Sequence, residues 1–436
     1  MAFTKSQLIL IGIGVVIFLF IVLLFMGVVP GLRSTETPDI SGNLTMWGAT
    51  DSPSTVQTLI AAYNAIHPNV AITYTQMNEA TYETDVVEAL AAGKGPDIFM
   101  IKNAWATKHA NKLVGLTAEQ FPLSRLESEF PKVISSDLAW NASTTFALPL
   151  YLDTLVLYYN KDLFDNAGLA NPPTTWEELD SLIPRLRSLD ATQKIVRSAI
   201  ALGGSLKSVS RATDILSLMM LQDGTQMIAP DHLDASFARD GGDALAYYTD
   251  FANPGSPLYT WNDNMGTDFD LFAAGNVAMM IGFSGDAARI KEKNPFLRFG
   301  MSPMLQKKDA ALAVNYPSYW ALAVPNTGKN VGLAWDFVGT VTLNSEIISD
   351  YLDASGKSPA LRSLIAQKAD DRETGFIVRQ ALTAQSWLQP DASAVETIFS
   401  KMINSILTGQ LSRDKAIRSA EEDVTSLLRK RFKDEL

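Results

Sequence analysis

Residues 44–101, LTMWGATDSPSTVQTLIAAYNAIHPNVAITYTQMNEATYETDVVEALAAGKGPDIFMI, alternate short apolar runs with longer amphipathic ones. Leu44–Trp47 is a short apolar strand followed by Gly48. Ser52 and Pro53 then supply a helix N-cap and a proline at the first helical position. Val56, Leu59, Ile60, Tyr63 and Ile66 recur at spacings of three and four, one apolar helical face, until His67-Pro68-Asn69 stops it. Val70–Tyr74 is β-branched and bounded by turn residues, a second strand. Tyr82–Ala92 returns to the helical period and ends at Gly93-Lys94-Gly95-Pro96. Asp97–Ile101 is then a strand apolar on both faces, as buried parallel strands are. Strand, helix, strand, helix, strand predicts an α/β fold with a doubly wound sheet, whose ligands sit at the carboxyl ends of strands. Those ends are Gly48–Asp51 and Lys102–Trp105, so Thr50, Asp51, Asn103 and Trp105 are the first candidate site residues.

Toward the amino terminus, Leu8–Val29 is an unbroken run without a charged or hydrogen-bonding side chain. As a helix rising ~1.5 Å per residue it would reach roughly 33 Å, enough to cross a hydrocarbon core of about 30 Å. Gly27-Val28-Val29-Pro30-Gly31-Leu32 offers no small-residue cleavage pattern. The reading is an uncleaved transmembrane anchor over 1–32, in contact with the bilayer through 8–29, and a polar linker over 33–43. Lys5 before the run gives a weak positive-inside bias, which places the remaining chain outside the cytoplasmic membrane.

Thirty-six Lys and Arg stand against 47 Asp and Glu, a net charge of −11. A surface of that sign repels phosphate backbones and excludes nucleic acid as a natural partner. The chain has no Cys, which removes disulfides, thiol catalysis and a lipid-modified cysteine together. His67, His109 and His232 lie outside metal-ligand spacing of one another, and there is no phosphate loop or nucleophile elbow. No metal, cofactor or catalytic residue is expected. Asp51 and Asp268-Phe269-Asp270 could be imagined as an acid and base pair, but solvated carboxylates are the commoner reading in so acidic a chain.

Toward the carboxyl terminus, Ala147-Leu148-Pro149-Leu150-Tyr151-Leu152-Asp153 leads into the β-rich Thr154–Tyr159. Thr175 and Glu178 form a capping box, and Trp176, Leu179, Leu182, Ile183 and Leu186 make the buried face of the helix that follows. Four segments carry a resemblance: the first strand and helix ending His67-Pro68; Ala92-Gly93-Lys94-Gly95-Pro96-Asp97-Ile98; Tyr158–Phe164 with Pro172–Glu178; and Phe272-Ala273-Ala274-Gly275-Asn276-Val277-Ala278-Met279. Trp387-Leu388-Gln389-Pro390 and Ile406-Leu407-Thr408-Gly409 are a looser echo. On these residues the part from about Leu44 to Gln410 resembles the family 1 extracellular solute-binding proteins, the maltose-binding-protein-like receptors of ABC importers. The resemblance implies a two-lobe, periplasmic-binding-protein-like fold of type II, a solute held in the cleft, lobe closure without catalysis, and ABC permease subunits as partners. It sets the lobes at 44–150 with 301–340 and at 151–300 with 341–436, joined near Leu150–Asp153, 298–303 and 335–345.

Sugar rings present apolar C–H faces to aromatic rings and hydroxyls to polar groups, a mixture that Trp and Tyr suit. Tyr151 and Asp153 lie at the expected hinge, Phe283 follows the Ala278–Ile281 strand, and Tyr316, Tyr319 and Trp320 flank the Ala321–Pro325 strand. Trp387 stands before a helix. These complete the candidate set for a sugar or oligosaccharide, while about half of such aromatics belong to cores; Trp47 and Trp176 are read as core. A surface carbohydrate-active hydrolase and a sensing or adhesion module on the same scaffold are the alternatives. The terminal Lys433-Asp434-Glu435-Leu436 and the Asn43-Leu44-Thr45 and Asn141-Ala142-Ser143 sequons are read as coincidences.

Overall fold

A computed structural model describes residues 40–432. The apolar run 8–29, most of the linker and the last four residues lie outside the described residues, and among the described residues no helix is long and apolar enough to cross a membrane.

The opening pattern folds as its periodicity requires. Strand β1 (Gly42–Gly48) pairs in parallel with β2 (Val70–Gln76) and β3 (Ile98–Lys102), and helices α1 (Pro53–Ile66) and α2 (Tyr82–Ala91) connect them. Ser52 caps α1 by accepting from the Thr55 amide at 3.2 Å, with Pro53 at the first turn. Gly48 ends β1 where a Cβ would meet the Met100 sulfur at 2.5 Å and the Tyr74 hydroxyl at 2.6 Å, so backbone closeness demands glycine there. The sheet is mixed. Strand β4 (Ala147–Pro149) forms its other edge, and a strand from far along the chain separates β4 from β3.

The second lobe is built on β5 (Asp153–Asn160), followed by α3 (Trp176–Leu186), β6 (Ile195–Ile200), α4 (Ala212–Gln222), α5 (Gly242–Asp250), β7 (Val277–Phe283) and β8 (Phe299–Ser302). β5 is antiparallel to both β7 and β8, while β7 and β6 are parallel. Thr175 caps α3 through the Glu178 amide at 3.2 Å, but the Glu178 carboxylate reaches back to the amide and hydroxyl of Thr174, one residue before the position a capping box uses.

Three chain segments cross between the lobes and lie side by side. The first is Leu150–Asp153. The second is β9 (Pro317–Ser318), antiparallel to β5 and running into β10 (Trp320–Ala323), which inserts between β3 and β4. After β10 come α6 (Val331–Leu343) and α7 (Ser345–Ser355), packed on α1. The third crossing follows α8 (Gly375–Ala381), where Asn315 bridges Ala384 before the chain enters α9 (Ala392–Leu407) and α10 (Arg413–Phe432). Gln380 pins the joint: its amide accepts from the Met304 amide at 2.6 Å and donates to Thr154 Oγ1 at 2.8 Å and to the Leu155 carbonyl at 3.1 Å.

These contacts correct the division drawn from sequence. Tyr151 and Leu152 still pack in the first core, so the cores part after Leu152 and not at 150/151, and Ser302, Met304, Leu305 and Tyr316 pack with the second lobe. Ile347 through Ile365 pack with the first, because β10 carries α6 and α7 back onto β1 and α1, and α8 is shared, Val378 and Ala381 facing the first core and Ile377 the second. The crossings expected at 298–303 and 335–345 are strand β8 and helix α6 instead, each inside one lobe.

The cleft between the lobes as candidate functional site

Where the crossings meet, the carboxyl ends of strands from both lobes face an open cavity. The first lobe contributes Lys102, Asn103, Ala104 and Trp105 beyond β3. The second contributes Arg211, Thr213, Asp214 and Ser217 at the start of α4, Phe283 at the end of β7, and Gln389, Ser393 and Glu396 around the start of α9. Tyr316, Pro317 and Ser318 form the floor on the second crossing.

The wall is both charged and aromatic. The Arg211 guanidinium lies 4.8 Å from the Phe283 ring centre. Burial pushes the Asp214 carboxyl above the usual range, with Arg211 and Lys102 pulling it back. Glu396 is raised by burial and by Asp214, against the same two cations. Two carboxyls beside two cations give the wall both acceptors and donors for hydroxyl groups.

Four of the sequence-derived candidates, Asn103, Trp105, Phe283 and Tyr316, line this cavity. Trp105 is held against Trp320, edge to face at 5.2 Å, and against Tyr82. Asn103 spends its side chain on structure, donating to Asp137 at 3.0 Å and accepting from the Tyr319 amide. Tyr319 is fully buried with its hydroxyl on Asp137 at 2.8 Å, and Trp320 is buried between Tyr82 and Trp105. Trp387 stacks on Phe399 at 5.8 Å and lines a smaller neighbouring cavity of about 320 Å³.

Thr50, Asp51, Tyr151 and Asp153 form a separate polar group beside the first crossing. Asp51 is buried and accepts from the Tyr351 hydroxyl at 2.8 Å and from the Lys357 ammonium, which also lies 4.3 Å from the Tyr151 ring centre. Burial lowers the Lys357 pKa despite Asp51. Asp153 collects the amides of Thr154, Ser284 and Gly285 at 2.8, 3.3 and 3.1 Å, fixing the turn after Phe283 to the first crossing. The buried Thr50 hydroxyl has no partner among the described residues.

Sequence reading missed Arg211, Asp214, Glu396, Lys357 and Asp137. Arg211 and Asp214 sit at a helix start without an aromatic neighbour in sequence, and Lys357 follows Gly356, the left-handed C-cap of α7. Only the glycine marks that turn in sequence.

The model of the bacterial extracellular solute-binding protein family matches residues 47–346. The chain belongs to that family. Over 405 residues this solute-binding protein is 22% identical to the mannitol-binding protein of Pseudomonas aeruginosa, covering 84% of this chain and 88% of that one. The fold is similar to an ABC transporter solute-binding protein of Thermotoga lettingae bound with α-D-tagatose (TM-score 0.70, 23% identity, 89% of this chain and 100% of that one). It is also similar to the cyclic α-maltosyl-1,6-maltose binding protein of Arthrobacter globiformis (TM-score 0.73, 20% identity, 90% and 100%). The α/β two-lobe fold of this solute-binding protein is thus shared with these solute-binding proteins.

Proposed function

We propose that this solute-binding protein is an extracytoplasmic receptor that binds a neutral sugar, polyol or oligosaccharide in the cleft and delivers it to an ABC permease without altering it. The observation that carries the reading is the composition of the cavity wall. Trp105, Phe283 and Tyr316 bring aromatic rings to the wall from both lobes, while Arg211, Asp214, Glu396 and Lys102 offer a mixed set of donors and acceptors. Rings take the C–H faces of a sugar, and the charged groups take its hydroxyls through hydrogen bonds stronger than neutral ones. Cations and carboxyls balance one another, which suits an uncharged solute better than an anion. The mannitol, tagatose and maltosyl ligands named for the relatives support the same class.

Because the wall is shared between lobes, a solute that touches both favours the closed arrangement by its differential affinity. The three adjacent crossings are the hinge about which that motion would run. The apolar run 8–29 supplies the membrane anchor in this reading, and carbonate extraction checks it: the protein stays in the pellet with its amino terminus intact. A soluble form beginning near Arg33 would refute the anchor.

One observation favours a second reading. Asp214 and Glu396 are neighbouring carboxyls with raised pKa in a cleft, the kind of pair a glycosidase uses. Titration calorimetry of the full chain in detergent with D-tagatose, mannitol and maltose, followed by mass analysis of the recovered solute, separates the two. Saturable binding with unchanged solute supports the receptor. A cleaved glycoside supports the hydrolase.

A further inference from the structure

Outside the cleft, the second lobe carries another cavity of about 590 Å³ that shares no lining residue with the first. It opens between the first turns of α3 and α5 and the last turn of α4. Its inner wall is Trp176, Met219, Ala244 and Tyr247, and its rim bears the carboxylates of Glu177, Asp180, Asp223 and Asp243. The rings are fixed in place. Trp176 is nearly buried, its indole N–H donates to Gln222 Oε1 at 2.7 Å, and Gln222 in turn donates to the Leu305 and Val314 carbonyls. Tyr247 meets Trp176 edge to face at 5.9 Å and donates its hydroxyl to Asp180 at 2.7 Å.

The charge of this site is one-sided. Among the described residues, Glu177, Asp180 and Asp243 have no ion pair with Lys or Arg. Lys307 is the one lysine in the wall, and its ammonium sits on Asp223 at 2.6 Å, so the chain already places a cation of its own at the rim. A bare metal ion does not fit: among the described residues no group of three His, Cys, Asp or Glu is close enough to hold one. A cation that also uses the apolar wall must be organic. We propose that this cavity is a second binding site, for a small organic ammonium ion whose charge meets the Asp180 and Asp243 carboxylates while its apolar part lies against Trp176 and Tyr247. Aromatic faces and carboxylates together are what recognise such ions. The site does not depend on the nature of the cleft solute.

The test uses the full chain in detergent and phenethylammonium as the probe, with neutral 2-phenylethanol as the control, read by titration calorimetry. The expected result is saturable binding of phenethylammonium, weakened at least about tenfold in a D180N/D243N variant, the scale of losing hydrogen bonds to a charged group. Lys307→Met, which removes the competing internal ammonium, should tighten it. Far-ultraviolet circular dichroism and unchanged titration of any cleft solute confirm that the variants fold. Absence of saturable binding, equal binding of 2-phenylethanol, or affinity unaffected by D180N/D243N in folded protein would overturn the proposal.

Discussion

Lys108 of the first lobe reaches Asp391 of the second at 3.1 Å while also holding Glu83 of its own lobe at 2.9 Å. Asp391 is the N-cap of α9, the helix that brings Ser393 and Glu396 into the cleft. Burial works against the Lys108 charge, but Glu83 and Asp391 outweigh it and raise its pKa. Nearby, the Arg431 guanidinium donates to the Thr107 carbonyl at 2.8 Å, a second tie from the second lobe to the first.

The Lys108 bridge crosses the cleft and should therefore bias the lobes toward closure. Partly exposed pairs contribute about 1 kcal/mol or less, so Lys108→Met should weaken solute affinity by no more than roughly fivefold. It should also enlarge the solute-free radius of gyration in small-angle scattering. A radius equal to that of the wild type would show that the bridge does not hold the lobes.

Acid should act on the same cluster. Burial pushes Glu83 up, but hydrogen bonds from His109 and Lys108 outweigh it and bring its pKa from 4.5 down to about 2. A carboxylate whose folded pKa is depressed stabilises the fold above its unfolded pKa and loses that contribution as pH falls toward the folded one. Wild type should therefore lose stability relative to Glu83→Gln between about pH 4.5 and pH 2. Denaturant midpoints for both proteins across that range check it; parallel curves would contradict it.

Gln380 ties α8 to β5 and to the Met304 amide at the point where the lobes join. Gln380→Ala leaves a buried amide and carbonyl without partners and should cost roughly 2–4 kcal/mol of unfolding free energy. A loss below about 0.5 kcal/mol by chemical denaturation would mean that water replaces the glutamine.

Trp105 and Trp387 look alike in sequence, yet they should behave differently. Trp105 faces the cleft, so Trp105→Ala should weaken solute binding by roughly 1–3 kcal/mol with the fold intact. Trp387 is buried on Phe399, so Trp387→Ala should mainly cost stability, about 3–5 kcal/mol. Calorimetric affinities and unfolding curves of the pair give the contrast; the reverse ranking would move the site.

The first lobe was legible where neighbours in sequence are neighbours in space. Ser52-Pro53, the Val56–Tyr63 face and the apolar Ile98–Ile101 run each fix one element locally. What sequence could not show was long-range placement. β10 reads as a strand, but nothing in Trp320–Ala323 says that it runs antiparallel between β3 and β4. That insertion keeps α6 on the first lobe and brings α7 there as well. The site was half legible for the same reason. Strand ends pointed to Trp105 and Phe283, whereas Asp137 finds Ser386 from 249 positions away, and Asp51 finds Lys357 from 306. An aromatic beside a strand gives no sign of its direction, which is why Tyr319 and Trp320 read as ligands of a sugar and pack as core.

The central claim is that an uncharged carbohydrate occupies the cleft, and Arg211 tests it most directly because its guanidinium lines the cavity against Phe283. Titration of D-tagatose, mannitol and maltose into the full chain and into Arg211→Met is the decisive measurement. The expected result is one saturable site for at least one of the three, weakened tenfold or more in Arg211→Met, as losing a charge-assisted hydrogen bond of ~1.5–3 kcal/mol implies. Binding of equal strength in the two proteins, or no binding of any of the three, would contradict it.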